Sequence, residues 1–248
     1  MPVQAPEADL ACSSRTRRAS RFELGRGHAS RALLAFAPAV VLCWLAISQS
    51  DAAWQDWALF RADPNWTLAA ELARSALYAA FVLGAAITLI TSKSPRARDP
   101  RGPVIAASLT ASFLMTGASS LPTGPVLWNA PIPVIEVGLL LCVIGAVLAL
   151  TSLTSLGSNF AIVPEARALV VTGPYRWLRH PIYLAELLMI FGVVVGYVRV
   201  TTLVGVLGVV GLQLYRIRAE ERLLHGAFPA TFADFTARTR FRLLPLLW

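Results

Sequence analysis

The chain has 248 residues, 56% hydrophobic and 15% charged, with a formal net charge of +8; its mean hydropathy is +0.61. Soluble domains carry about 25% charged residues, so this composition excludes an ordinary soluble fold and, over most of the length, intrinsic disorder. Neither a Gly-X-Y repeat nor a sustained heptad is present, which excludes fibrous classes and leaves an all-α, multi-span transmembrane helical protein. Lys93 is the only lysine, and the arginines flank apolar segments without forming a patch. That pattern points to anionic lipid headgroups and away from nucleic acid. Cys12, Cys43 and Cys142 lie far apart and suggest neither a disulfide framework nor a metal site.

Residues 1–27 are polar and Arg-rich and read as a disordered cytoplasmic tail. A spanning helix needs about 20 largely apolar residues. Four such runs fill residues 28–156, at 31–48, 67–91, 104–121 and 132–156. Residues 157–248 form a C-terminal module with two further runs, 182–198 and 200–217, almost without a linker. They predict a tight helical hairpin or two incomplete spans, making about six in all. With the N-terminus inside, segments 1–31, 92–103, 157–181 and 216–248 are cytoplasmic and hold 19 of the 22 basic residues. The outer loops hold Arg61 and Arg199, and loop 49–66 also carries Asp51, Asp56 and Asp63. This asymmetry obeys the positive-inside rule and places both termini in the cytoplasm.

Charged groups inside spans are costly. Glu71 and Arg74 are three apart and read as a local ion pair. Glu136 follows a proline-containing entry and reads as an interfacial carboxylate. Glu186 lies one turn inside the fifth run, facing either a polar site or the headgroups. Segment 162–171 is rich in β-branched residues and should be extended, and Gly173-Pro174 signals a turn. Pro181 suits the first position of the fifth helix. That sets His180 beside its positive end, facing the headgroup region. The plainer reading is an anchor loop in which Tyr175 and Trp177 are interface aromatics. Arg216 and Glu220 are four apart on one helix face, with Glu221 adjacent. They are either a solvated ion-pair network or a mixed-charge site holding both a cationic and an anionic ligand. Beyond them, Pro229 opens a short helix whose Phe228, Phe232 and Phe235 form an apolar face, either on the bilayer or over the loop. Arg238, Arg240 and Arg242 would then contact headgroups.

Gly173-Pro174-Tyr175, Arg179-His180-Pro181 and Tyr183, followed by Arg216, Glu220 and Glu221, resemble the isoprenylcysteine carboxyl methyltransferase family. Phospholipid N-methyltransferases share a related signature. Gly157-Ser158-Asn159-Phe160 and the ending RTRFRLLP are also similar, so the resemblance covers about 156–245. It implies cytoplasmic loops that bind S-adenosylmethionine (SAM) through Arg167, Leu169, Val170, Tyr175, His180, Pro181, Ile182, Tyr183, Glu220 and Glu221. It also implies that Arg216 and Glu220 carry catalysis, and that Arg216 with Glu186 meets the substrate. The acceptor would be a lipid or lipid-anchored acid drawn from the bilayer, such as an isoprenylated cysteine. Two departures stand out. Phe232 and Phe235 replace tyrosines, and Ala185-Glu186 stands where many members have glycine. A carboxylate acceptor is ionised at neutral pH and needs no strong base. An amine acceptor would need one, and Glu186 or Glu221 are candidates. Three alternatives stay open: a phospholipid amine methyltransferase, an NADPH-dependent membrane reductase of similar topology, and a transporter or scaffold without catalysis.

Overall fold

The computed structural model describes residues 28–117 and 126–243. The tail expected at 1–27 and the end of the run at 104–121 lie outside them. Seven α-helices dominate the described residues. The first is α1 (His28–Ala62), followed by α2 (Trp66–Ile90), α3 (Gly102–Gly117) and α4 (Ile132–Leu156). Then come α5 (Pro181–Gly196), α6 (Val200–Ala227) and α7 (Pro229–Arg238).

The loop expected at 49–66 is mostly helix, because α1 runs on to Ala62. Residues 49–62 contain neither glycine nor proline, so nothing interrupts the turn-to-turn hydrogen bonding until Asp63-Pro64-Asn65. Asn65 then caps α2, its side chain accepting from Leu68 N at 3.0 Å. One turn further, the Glu71–Arg74 pair forms at 2.8 Å. Ser75 Oγ donates to Asp56 Oδ2 at 2.5 Å and ties α2 to the extension of α1.

Among the described residues, three helices are long and apolar enough to cross a bilayer: 66–90, 132–159 and 200–227. α3 is described as far as Gly117, and α5, at 16 residues, reaches about 24 Å, short of the roughly 30 Å hydrocarbon core. Three of the six expected crossings are thus supported among the described residues. α5 begins inside the bundle, with Pro181 fully buried.

Two short ribbons qualify the all-α expectation. β1 (Ala97–Arg98) pairs antiparallel with β3 (Glu165–Ala166), and β2 (Val126–Asn129) with β4 (Tyr197–Arg199). β4 is the connection between α5 and α6, which pack antiparallel as the expected hairpin, Ile190 lying against Val206 and Val209. α5 packs chiefly on α4, and α6 makes its widest helix contact with α3. Glycine decides the first of these pairings. A Cβ on Gly138 would run into the carbonyl of Gly192, and one on Gly145 would lie 2.8 Å from the Ala185 oxygen. Such close approach between backbones is how helices associate where lipid removes the hydrophobic drive. The core that results joins Phe81, Val82 and Ala85 of α2 to Ala146, Ala149 and Leu153 of α4 and to Ile182, Ala185 and Met189 of α5.

Candidate active site

After α4 the chain makes one 3₁₀ turn, 157–159, with Gly157 at φ 49°. It then runs extended, and β3 binds it to the loop that follows α2. Gly173, at φ 60°, opens a second 3₁₀ turn. A side chain there would collide with Ser155 as well as strain the backbone. The segment before α5 is clamped by the chain's end. Arg179 N donates to Phe241 O at 2.9 Å and His180 N to Arg242 O at 3.0 Å.

These turns enclose a small cavity, partly open to solvent. Tyr175, His180, Ile182, Tyr183, Glu186, Arg216 and Glu220 line it. The same wall includes Ser112, Leu156, Asn159, Phe160, Ile162, Pro164 and Glu165, residues to which the sequence reading assigned no role.

Arg216 is 2% exposed. Its Nη1 donates to Gln213 Oε1 at 3.0 Å and its Nη2 to Ile162 O at 2.8 Å. The guanidinium lies 4.7 Å from the Tyr183 ring centroid. Nε–H has no hydrogen-bond partner within the chain. Gln213 also donates to Glu186, so Glu186, Gln213 and Arg216 form one string. Across the cavity, Tyr183 Oη donates to Glu220 Oε2 at 2.8 Å. His180 is 5% exposed and stacks on Tyr183, with centroids 5.5 Å apart and planes 7° from parallel. Its ring is thus inside the site and not among headgroups. Its Nε2 has no hydrogen-bond partner and lies 3.6 Å from Glu221. Tyr175, expected at the interface, is also buried. Burial pushes its phenol well above the usual value, and the neighbouring Glu220 adds to this, so the hydroxyl stays protonated.

The adjacent Glu220 and Glu221 divide their work. Glu221 turns from the cavity to Arg179 at 3.2 Å and Arg242 at 2.9 Å. Arg242 is therefore a tie to α6, not the headgroup contact expected of it. Arg167, Leu169, Val170, Pro181 and Glu221 do not line the cavity. Arg167 instead joins two loops, bonding Phe160 O, Ser92 Oγ at 3.1 Å and Glu165 at 2.6 Å. Glu165 also takes Arg98. Burial lowers the pKa of Arg167, and the Glu165 charge opposes that shift. Leu169 packs beneath Phe232 and Phe235. The aromatic face of α7 therefore covers the loop and not the bilayer. Trp177 is exposed, with Arg176 stacked 4.3 Å from its ring.

Glu165 and Gln213 escaped the sequence reading for different reasons. Glu165 acts through Arg98, 67 positions away, and no local pattern signals that. Gln213 was legible in principle, because it precedes Arg216 by three and so shares its helix face.

Residues 134–231 match the family described as phospholipid methyltransferase. The matched stretch contains every cavity-lining residue except Ser112. It supports a membrane methyltransferase, a class to which three apolar helices long enough to span also conform. No curated protein matches the chain.

Proposed function

We propose that the chain is an integral-membrane, SAM-dependent methyltransferase that O-methylates the carboxyl group of an isoprenylated cysteine or similar lipid-linked acid. The observation that carries this reading is buried Arg216 on the cavity wall, with Nε–H unpaired. A guanidinium takes a carboxylate as a fork, and an unpaired buried donor is costly until a ligand fills it.

The donor set suits SAM. Glu220, oriented by the Tyr183 hydroxyl, matches a cationic amino group, and His180, its Nδ1 3.8 Å from Glu220 Oε2, lies on the same wall. Leu156, Phe160 and Ile182 supply apolar walls. When bound, SAM supplies an electrophilic methyl group on a sulfonium. The chain's part is to hold the acceptor carboxylate with Arg216 and to exclude water beneath α7 and the segment 241–243. The carboxylate arrives ionised, so no residue need remove a proton.

An amine acceptor is the second reading, favoured by Glu186 on the same wall and by the description of the matched family. There Glu186 would accept the ammonium proton. In either case the acceptor's lipid tail comes from the bilayer, and the cofactor comes from the cytoplasmic side, where the basic loops lie.

The test is calorimetric titration of SAM into the detergent-purified chain beside Glu220→Ala. Micromolar binding that weakens about tenfold or more in the variant is the expected result. Binding of NADPH in place of SAM would transfer the chain to the reductase reading. Binding of neither would return the site residues to the role of anchors.

A further inference from the structure

We propose that Gln213 is a neutral spacer that keeps Arg216 from pairing with Glu186 and so leaves Arg216 free for the acceptor's anionic group. This positioning role rests on the acid-acceptor reading above. Gln213 is 0% exposed. Its amide Nε2 donates to Glu186 Oε2, and its Oε1 accepts from Arg216 Nη1 at 3.0 Å. A carboxamide can satisfy an anion with one end and a cation with the other while adding no charge. The two neighbours also dictate its orientation, since the flipped amide would set oxygen against carboxylate and NH2 against guanidinium.

Glu186 and Arg216 both line the cavity and carry opposite charges. In a medium of low dielectric their attraction is strong, and a direct pair would be bidentate. Such a pair would use the donors that an acceptor carboxylate needs. Gln213 prevents this by taking up the facing positions on both groups. Nη2 is meanwhile held by Ile162 O and one face of the guanidinium by Tyr183. What stays unpaired is Nε. Loss of the spacer would let Glu186 act as an internal competitor for the acceptor.

The experiment uses the full chain in lipid nanodiscs with two probes, S-farnesyl-N-acetylcysteine and its methyl ester, which lacks the charge. Binding of both, and of SAM, is measured for the wild type, Gln213→Leu, Gln213→Met, Glu186→Gln and the double variant Glu186→Gln/Gln213→Leu. KM for the acid is followed alongside. Either Gln213 variant is expected to weaken acid binding by about tenfold or more, with ester and SAM affinities unchanged. In the double variant the competitor is gone, and acid binding should return to within about threefold of Glu186→Gln alone. A purely structural role would not be rescued in this way. Glu186→Gln alone should bind the acid at least as tightly as wild type, an expectation that stands even if neither Gln213 variant folds.

Equal weakening of acid, ester and SAM, failure of the double variant to recover, or weaker acid binding by Glu186→Gln would each overturn the spacer role. A wild-type chain that prefers the acid to the ester, beside a Gln213→Leu chain that keeps that preference, would overturn the spacer role alone. A wild-type chain with no preference for the acid would remove the acid reading, and this inference with it.

Discussion

Arg216 shows how burial changes what a residue can do. On a solvated helix end it would be one member of an ion-pair network worth little. Here it is almost fully buried, and its donors are assigned one by one to Gln213, Ile162 O and the cavity. Lysine would keep the charge and lose the planar fork. Arg216→Lys should therefore lower kcat/KM for an acid acceptor by about 30-fold, with SAM binding by calorimetry unchanged. Asp99 permits a prediction with a sign. Hydrogen bonds from Arg101, including Nε to Oδ1 at 2.9 Å, hold its carboxyl below the usual 3.8. A carboxylate lowered by folding stabilises above its unfolded pKa, and that contribution is lost as pH falls through the folded one. Arg101 is 46% exposed, so solvent screening reduces the gain to about 1 kcal/mol. Asp99→Asn should melt lower than wild type at pH 7, and the gap should narrow progressively as pH falls below about 4.

At the scale of elements, α4 and α5 are matched by what they lack. Gly138 and Gly145 face Ala185, Met189 and Gly192 so closely that no side chain fits between backbones. Gly192→Leu should lower thermal stability in detergent, because overpacking of this kind costs about 1–3 kcal/mol. The site should suffer with it, since Tyr183 and Glu186 ride on the same helix. Element boundaries were legible wherever a breaker marked them. The run at 132–156 coincides with α4, and Pro229 opens α7 as expected. Boundaries failed where polarity alone was the guide. Asp51, Trp54 and Asp56 look like loop residues, yet nothing among them breaks a helix, and α1 continues through them. The helical hairpin expected from the runs at 182–198 and 200–217 forms, with β4 as its turn. α5 and α6 run antiparallel along their length, with Ile190 against Val206 and Val209, Glu186 bonded to Gln213 and Tyr183 to Glu220, while bare backbones decide how closely α5 approaches α4.

Over the whole molecule, the basic loops converge. Lys93 N donates to Ser158 O at 3.4 Å, β1 pairs with β3, and Leu178 bridges Phe241. Loops after α2 and α4 and the end of the chain thus meet at the end of the bundle that carries the cavity. Arg199 lies in the other ribbon, with β2. If this asymmetry sets orientation, the cavity end is cytoplasmic. In intact cells, Ser94→Cys in a background free of native cysteine should resist membrane-impermeant maleimide, and Asn65→Cys should react. The reverse pattern would invert the topology.

Composition and the spacing of apolar runs determined by themselves that this is a helical membrane protein, because a low-dielectric solvent leaves backbone groups few other ways to be satisfied. Local motifs and the resemblance they carry also selected every cavity-lining residue from Tyr175 onward: Tyr175, His180, Ile182, Tyr183, Glu186, Arg216 and Glu220. Only the tertiary structure decided that Glu220 faces the cavity while Glu221 anchors Arg179 and Arg242. It also turned Arg167 into a link between loops and set Gln213 between two opposite charges. A helix period says which residues share a face. Which partner meets that face depends on chain segments tens of positions away, and on which backbones are bare enough to let them approach.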